Sequence, residues 1–186
     1  MNFYNEYFEK VSRIYSSFIK IKLNQRLIQK FENKLNLTAR KNKIFLFAGN
    51  GGSYADSLHF SSEITGKLIN KNRPPYKSFV LGSNASSLTA ISNDYSYADS
   101  FRREINPFKS DDFLLIILST SGRSKNIIKL IQGKNINKKN TFIFTGNNYD
   151  KNLEKINIFS FDTKITSHIQ ECYKIFMHSC FIKNNF

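Results

Sequence analysis

The chain has little of what marks secreted, membrane-spanning or disulfide-stapled proteins. Its 186 residues include two cysteines, three prolines and no tryptophan. Cys172 and Cys180 lie eight positions apart, which is the spacing of neither a CxxC redox pair nor a disulfide framework, so we expect reduced core thiols. The longest purely apolar run, Phe113–Leu118, is too short to span a bilayer, and the first ten residues lack the apolar stretch of a signal peptide. We therefore expect a cytoplasmic protein without a membrane partner.

Acidic residues are also scarce. The 14 Asp and Glu stand against 28 Lys and Arg, which gives a formal net charge of +14 and an isoelectric point near 9.8. Such basicity is typical of proteins that bind nucleic acid or membrane surfaces. Here the lysines are scattered and accompany no zinc-finger spacing or other nucleic-acid motif. We interpret the charge as a solvated surface that also attracts anionic substrates, and we expect no nucleic-acid partner.

Patterning along the chain predicts a single α/β domain over residues 1–186. Within residues 1–40, apolar side chains recur at helical spacing, which predicts one long or two shorter amphipathic helices that pack on the core. Five short apolar runs follow, at 44–48, 78–81, 113–119, 141–145 and 156–161, and helical periodicity marks 53–69, 124–131 and 165–182. Strands that alternate with helices predict a five-stranded parallel sheet covered on both faces, a three-layer architecture.

The first of these runs ends in glycines. Residues 49–53 read GNGGS, and the helical segment that follows carries His59 and Glu63 four positions apart, on one helix face. A strand that ends in glycines and opens a helix forms an anion pocket from backbone N–H groups. Each feature alone has a structural explanation, namely a tight turn, a packed histidine and a solvated glutamate. Together they predict that a phosphorylated small molecule is chemically changed there.

The third run ends in hydroxyl side chains. Residues 119–124 read STSGRS and precede a helical segment. A helix cap needs one hydroxyl or two, whereas this turn offers three serines and a threonine. In an open parallel sheet, ligands bind beyond the carboxyl ends of the strands. The pattern therefore predicts that this turn binds phosphate.

Four motif blocks occur in order along the chain. They are GNGGS at 49–53 with Asp56, His59 and EITG at 63–66; LTAISNDY at 88–95; STSGxS at 119–124; and IQE at 169–171 with His178. With these blocks the sequence resembles the sugar isomerase (SIS) family, which has a flavodoxin-like fold, and more narrowly the phosphoheptose isomerases. The resemblance implies an enediol-forming aldose–ketose isomerase that converts D-sedoheptulose 7-phosphate to D-glycero-D-manno-heptose 7-phosphate. It also implies heptose supply for a bacterial surface glycan, lipopolysaccharide or capsule.

The resemblance further implies roles for the matching positions. Glu63 and His178 would form the acid–base pair. The implied substrate-binding residues are Asn50, Gly51, Gly52, Ser53, Glu63, Asn93, Asp94, Gln170 and, around the phosphate, Ser119, Thr120, Ser121 and Ser124. One zinc ion per subunit is implied on His59, Glu63, Gln170 and His178. The family is typically homotetrameric with active sites near subunit boundaries, so residues 1–40 are also expected to pack on neighbouring subunits.

The spacing of the implied metal ligands is uneven. His59 and Glu63, at i and i+4, can share an ion. Gln170 and His178 are eight residues apart, roughly 12 Å along a helix, and glutamine is an uncommon zinc ligand. A metal on Glu63 would also compete with its use as a base. The residues therefore leave open whether the metal is catalytic or organisational.

Departures from the family pattern keep alternatives open. Lys67 and His168 stand where the family usually has arginine, and Ser83-Asn84 replaces a frequent Thr-Asp, so an isomerase for a related sugar phosphate is one alternative. Another is a non-catalytic tetramer of this fold that binds a replication-initiator protein, although retention of the acid–base pair speaks against it. A third is a sugar-phosphate-sensing regulator with a DNA-binding helix-turn-helix domain, for which the first 40 residues are too few.

Overall fold

The computed structural model describes residues 2–186, which fold around one parallel sheet. Within this range the five strands are β1 (Ile44–Gly49), β2 (Ser78–Val80), β3 (Phe113–Leu118), β4 (Thr141–Gly146) and β5 (Asn157–Phe161). They lie in the order β2-β1-β3-β4-β5, and every neighbouring pair is parallel. Each strand coincides with one of the five apolar runs. The predicted three-layer α/β fold of flavodoxin type is confirmed.

The helices cover both faces of this sheet. Within residues 2–186 they are α1 (Phe3–Lys20), α2 (Lys22–Arg40), α3 (Gly52–Thr65), α4 (Ala85–Asp94), α5 (Ser100–Ile105), α6 (Lys125–Ile131) and α7 (Thr166–Lys183). Short 3₁₀ helices span Tyr97–Asp99, Lys138–Asn140 and Lys151–Lys155. In the described part of the chain, no helix has both the length and the apolar character needed to cross a membrane.

Side chains alternate along each strand, so the two faces of the sheet differ in composition. One face is rich in phenylalanine and packs against α1, α2, α3 and α7; we call this side the aromatic layer. Its strand residues include Phe45, Phe47, Phe142, Phe144, Phe159 and Phe161. The other face is mostly aliphatic and packs against α5 and α6; we call this side the aliphatic layer. Its strand residues include Leu46, Ala48, Leu115, Ile117 and Ile143.

The N-terminal segment forms two helices and not one. Asn2 caps α1, because its side-chain oxygen accepts a hydrogen bond from the Tyr4 N–H at 3.1 Å. Ile21 is extended (φ −71°, ψ 122°) and separates α1 from α2. Phe18 and Phe31 from these two helices are buried in the aromatic layer. Large apolar side chains on their outer surfaces stay exposed, each by at least 70%: Phe3, Tyr4, Phe8 and Leu23.

Two stretches differ from the helices that periodicity predicts. α3 ends at Thr65 and does not reach position 69, because Gly66, a poor helix former, follows. Residues 85–105 hold α4 and α5, which the apolar pattern left unassigned. None of the residues 85–94 is fully buried, so α4 carries no apolar stripe that a sequence pattern could reveal.

The cap of α4 explains one departure from the family pattern. The Asn84 side chain accepts a hydrogen bond from the Ser87 N–H at 3.2 Å and so starts the helix. Asparagine and aspartate are comparable N-caps. Replacing aspartate by asparagine at this position therefore preserves the helix start.

Candidate active site

Two predicted motifs meet at the carboxyl edge of the sheet. Gly49, the last residue of β1, pairs with Leu118, the last residue of β3. The chain leaves β1 toward α3 in the aromatic layer and leaves β3 toward α6 in the aliphatic layer. Neighbouring parallel strands whose connections run to opposite faces leave a crevice between them, where open α/β sheets bind ligands. The glycine turn and the hydroxyl turn therefore flank one crevice.

The glycine turn depends on its lack of side chains. Gly51 has φ +55°, a left-handed conformation that favours glycine. A methyl group at Gly52 would lie 2.6 Å from Nε2 of Gln170, so any side chain there would displace the Gln170 amide from the start of α3. Ser53 is buried directly after it. The first N–H groups of α3 have no partner within the helix and are available to an anion.

The hydroxyl turn is held by its own backbone. The Gly122 N–H donates to the Ser119 carbonyl at 3.0 Å, and the Gly146 N–H donates to the Thr120 carbonyl at 3.0 Å. Gly122 takes φ +57°, which lets the chain reverse direction there. Ser119 is buried, Ser121 is exposed, and Thr120 and Ser124 lie between these extremes. Phosphate binding by this turn stays a prediction.

A carboxylate and two imidazoles converge between α3 and α7. Oε1 of Glu63 lies 3.4 Å from Nε2 of His59 and 3.4 Å from Nε2 of His178. The two Nε2 atoms are 3.1 Å apart. Glu63 is 7% exposed, whereas His59 is exposed and His178 is half-buried. The helical spacing of the first two residues and the packing of α7 on α3 thus bring the implied acid–base pair together.

This group has the chemistry of a metal site. Its three ligand atoms, one from each side chain, lie within 4.8 Å of one another. Zinc prefers imidazole nitrogen and carboxylate oxygen. Within residues 2–186, Oε2 of Glu63 is buried and makes no hydrogen bond. A buried carboxylate oxygen is costly to leave without a partner, so a cation bound here would stabilise the group. The residues fit a zinc ion.

Neighbouring side chains fix this group. The Phe60 ring packs edge-on against the imidazole of His178, with centroids 5.4 Å apart. The guanidinium of Arg73 donates a hydrogen bond to the backbone carbonyl of Glu63 and lies over the Tyr76 ring at 5.0 Å. These contacts hold the end of α3 that carries the carboxylate. No sequence pattern indicated Arg73, because it lies in a loop without periodicity.

Gln170 lies at the other end of the α3–α7 contact. It meets Gly52, which precedes His59 by seven residues, about 10 Å along a helix. One turn further along α7, Tyr173 is buried, and burial raises the pKa of its hydroxyl. That hydroxyl donates to Asp56 at 2.6 Å. Gln170 is therefore placed beside the glycine turn, and its role as a fourth zinc ligand stays a prediction.

The structure also places the remaining predicted site residues and the residues that depart from the family pattern. Asn93 donates to Asp94 at 3.0 Å at the exposed C-terminal end of α4, and their contact with sugar hydroxyls stays a prediction. His168 is 4% exposed and packs edge-on against the Tyr7 ring, so it is part of the α1–α7 contact. Lys67 lies beyond the end of α3 and is exposed.

Sequence reasoning missed two residues that contact Asn50. The side chains of Asn50 and Asn126 exchange hydrogen bonds in both directions, at 3.0 and 2.9 Å. The Tyr97 hydroxyl donates to Oδ1 of Asn50 at 2.7 Å. The only local signal for Asn126 is its position two residues after Ser124, in the second position of α6. Tyr97 lies in the unassigned stretch and carried no signal.

Comparisons with known proteins agree with this geometry. The family model described as SIS domain matches residues 6–139. The chain is similar to a phosphoheptose isomerase of Coxiella burnetii, with 33% identity over 181 residues that cover 92% of this chain and 90% of the relative. It is also similar to a probable phosphoheptose isomerase of Thermoplasma acidophilum, with 38% identity over 141 residues that cover 74% and 75% of the two chains.

Two solved structures share the fold. The phosphoheptose isomerase of Francisella tularensis superposes with a TM-score of 0.82 at 19% identity, and that of Neisseria gonorrhoeae with 0.80 at 23% identity. In both comparisons the match covers 97% of this chain and 95% of the other. The likeness includes the five-stranded sheet and its helices.

Proposed function

We propose that this chain interconverts D-sedoheptulose 7-phosphate and D-glycero-D-manno-heptose 7-phosphate. The chain belongs to the SIS domain family and, within it, to the phosphoheptose isomerases. The observation that carries the proposal is the group of Glu63 and His178 with His59 on α3 and α7. A carboxylate and an imidazole at one point are the pair that proton transfer at neighbouring sugar carbons requires.

The reaction moves one proton between C1 and C2. Starting from the ketose, a base removes a proton from C1 while an acid protonates the carbonyl oxygen at C2, which gives a cis-enediol. The proton returns to C2, and the C1 hydroxyl loses its proton to become the aldehyde. We assign the proton transfer at carbon to the carboxylate of Glu63 and the proton transfer at oxygen to the imidazole of His178.

The two imidazoles define where a proton can sit. Their Nε2 atoms face each other at 3.1 Å, so one ring must donate and the other must accept. Oε1 of Glu63 is equidistant from both rings. Without a metal ion, the three groups therefore share protons at one point.

A zinc ion would be held by His59, Glu63 and His178, with Gln170 as the predicted fourth ligand. When bound, it supplies Lewis-acid polarisation of the substrate's carbonyl and hydroxyl oxygens. The rest of the substrate is assigned to the crevice: sugar to Asn50–Ser53 with Asn93 and Asp94, and phosphate to the hydroxyl turn. The backbone N–H groups and hydroxyls of these turns suit oxygen ligands.

Assembly and pathway belong to the same proposal. A homotetramer is supported by the exposed apolar side chains of α1 and α2, since exposed clusters of this kind mark interaction surfaces. The half-exposed imidazole of His59 is likewise available to be covered by a neighbouring subunit. We place the reaction in the cytoplasm, because charged sugar phosphates do not cross membranes unaided, and we assign its product to heptose supply for a surface glycan.

The activity is tested with purified, zinc-loaded protein and a panel of ketose phosphates. We expect D-sedoheptulose 7-phosphate to be converted to an equilibrium mixture with the aldose, as followed by NMR, and a ketohexose 6-phosphate to react far more slowly. If the zinc-loaded protein leaves the heptulose unchanged, the proposed reaction is wrong. If it prefers another ketose phosphate, the substrate assignment is wrong while the reaction type stands.

Metal binding is tested separately from turnover. We expect about one zinc per chain by elemental analysis after dialysis, and we expect His59→Ala to weaken zinc affinity by more than about 100-fold. Loss of an outer-shell partner alone costs about 10–100-fold, so loss of a ligand should exceed that. Gln170→Ala, measured beside it, reports whether the fourth ligand comes from this position. Equal zinc affinity of wild type and His59→Ala would contradict the site.

A further inference from the structure

We propose that Asn126 and Tyr97 are positioning residues that orient the side-chain amide of Asn50, so that Asn50 offers the sugar phosphate a hydrogen-bond donor and no acceptor. The inference rests on the proposed function, in which Asn50 lines the substrate site. It adds two residues to that site and specifies that the Asn50 side chain acts there as a hydrogen-bond donor.

The orientation of the Asn50 amide follows from one hydrogen bond whose direction is known. The backbone N–H of Ile127 can only donate, and it lies 3.0 Å from Oδ1 of Asn126. This contact identifies the oxygen of the Asn126 amide. The atom of Asn50 that faces this oxygen at 3.0 Å must then be its nitrogen, and its own oxygen must face Nδ2 of Asn126 at 2.9 Å. The Tyr97 hydroxyl, 2.7 Å from that oxygen, must donate.

The remaining capacity of Asn50 can be counted. A side-chain amide has two acceptor sites on oxygen and two N–H donors. Asn126 and Tyr97 occupy both acceptor sites of Asn50, and Oδ1 of Asn126 takes one of its two donors. One N–H is left. The group of the substrate that meets this side chain is therefore an acceptor oxygen, such as a hydroxyl, carbonyl or phosphoryl oxygen.

The two positioning residues are themselves anchored. Asn126 is 1% exposed and belongs to α6. Tyr97 belongs to the 3₁₀ helix that ends at Asp99, and Asp99 accepts hydrogen bonds at 2.8 Å from Lys129 of α6 and from Arg102 of α5. The hydrogen bonds from Lys129 and Ser96 lower the pKa of Asp99 to about 2, so this anchor stays charged across the working pH range.

Asn50 and Tyr97 also face open space. Both line a cavity of about 320 Å³ beyond the carboxyl ends of β1 and β2, together with Gly51, Ser83 and Leu88. A cavity of this size is within the usual range of small-molecule pockets. The Asn50 amide thus stands at the border between a fixed hydrogen-bond network and a space that a ligand can enter.

The test uses Tyr97→Phe and Asn126→Asp in the full chain. Tyr97→Phe removes one hydrogen bond from Oδ1 of Asn50 and is expected to raise KM about 3- to 10-fold with kcat within about twofold of wild type. Asn126→Asp keeps the acceptor but replaces the N–H that Asn50 needs by an oxygen, so Oδ1 of Asn50 faces another oxygen, the amide loses its fixed orientation and KM rises at least about tenfold. Asn135→Asp, the same change in the loop between α6 and β4, serves as the matched control for Asn126→Asp, with wild-type KM.

Two further measurements separate this inference from the proposed function. Affinity for D-sedoheptulose 7-phosphate is measured by calorimetry in a Glu63→Gln background, where turnover does not interfere, and the Asn50 side-chain NH₂ resonance is followed by NMR. The proposal predicts weaker binding and a shifted resonance in both variants. If both bind the substrate within twofold of their parent and leave that resonance unmoved, the inference is overturned even when wild type is an active isomerase. If wild type does not isomerise the substrate, the proposed function is wrong. The ratio of substrate affinities between each variant and its parent then still decides the inference.

Discussion

Glu63→Gln is expected to lower kcat for heptulose phosphate isomerisation by at least about 10³-fold, because an amide cannot accept the proton from carbon. The substitution keeps the size of a side chain that is 7% exposed, so the packing of α3 on α7 should survive. Substrate affinity is expected to stay within about tenfold of wild type, since a base acts on the transition state more than on ground-state binding. Steady-state kinetics and calorimetry measure the two quantities separately.

The control for this variant is Glu154→Gln. Glu154 is an exposed glutamate in the 3₁₀ helix Lys151–Lys155, and its replacement makes the same change of charge. Zinc content is measured in every sample, so that a lost ion is not mistaken for a lost base. A Glu63→Gln protein that holds zinc and keeps more than a tenth of wild-type kcat would remove Glu63 from the role of base.

Gly122→Ala is expected to lower the free energy of unfolding by about 2–5 kcal/mol, more than the positive φ of +57° would cost by itself. At Gly51 (φ +55°, ψ −125°) an added Cβ would meet no heavy atom of residues 2–186 within 4 Å apart from its chain neighbours, so an alanine there adds backbone strain without crowding. At Gly122 the added Cβ would lie 2.6 Å from the Tyr149 Cβ and 2.8 Å from Oγ1 of Thr145. This crowding adds about 1–3 kcal/mol.

Urea denaturation of the two variants at one fixed protein concentration measures the difference, because the apparent stability of an oligomer depends on its concentration. Gly51→Ala is measured beside Gly122→Ala as a variant that adds backbone strain without crowding. A loss of no more than about 2 kcal/mol at Gly122 would mean that the hydroxyl turn relaxes around a methyl group. The turn would then be looser than its contacts with β4 indicate.

The strands were predictable from the sequence for a simple physical reason. A strand buried on both faces needs an unbroken short apolar run, and residues such as those of β3 satisfy this directly. The limits of α3 were less predictable, since polar and apolar residues continue past Gly66 while the helix does not. Hydrophobic periodicity did not predict α4 or α5. For α4 the reason is that none of its residues is fully buried.

The site was predictable in part. The spacing of His59 and Glu63 shows that they share a helix face, whereas the position of His178 beside them depends on how α7 packs on α3. The family resemblance supplied that pairing, and the structure brings the three side chains together. Asn126 and Tyr97 could not be predicted from spacing, because α6 and a 3₁₀ helix bring them to the glycine turn from distant parts of the chain.

The division of the core into two layers has a consequence for how this enzyme can change. Glu63 and His178 stand on helices of the aromatic layer, while Asn126 stands on a helix of the aliphatic layer. The five-stranded sheet separates the helices of these two layers. On the proposed assignment, repacking the aliphatic layer is therefore expected to alter how Asn50 is held more than it alters the group of Glu63 and His178.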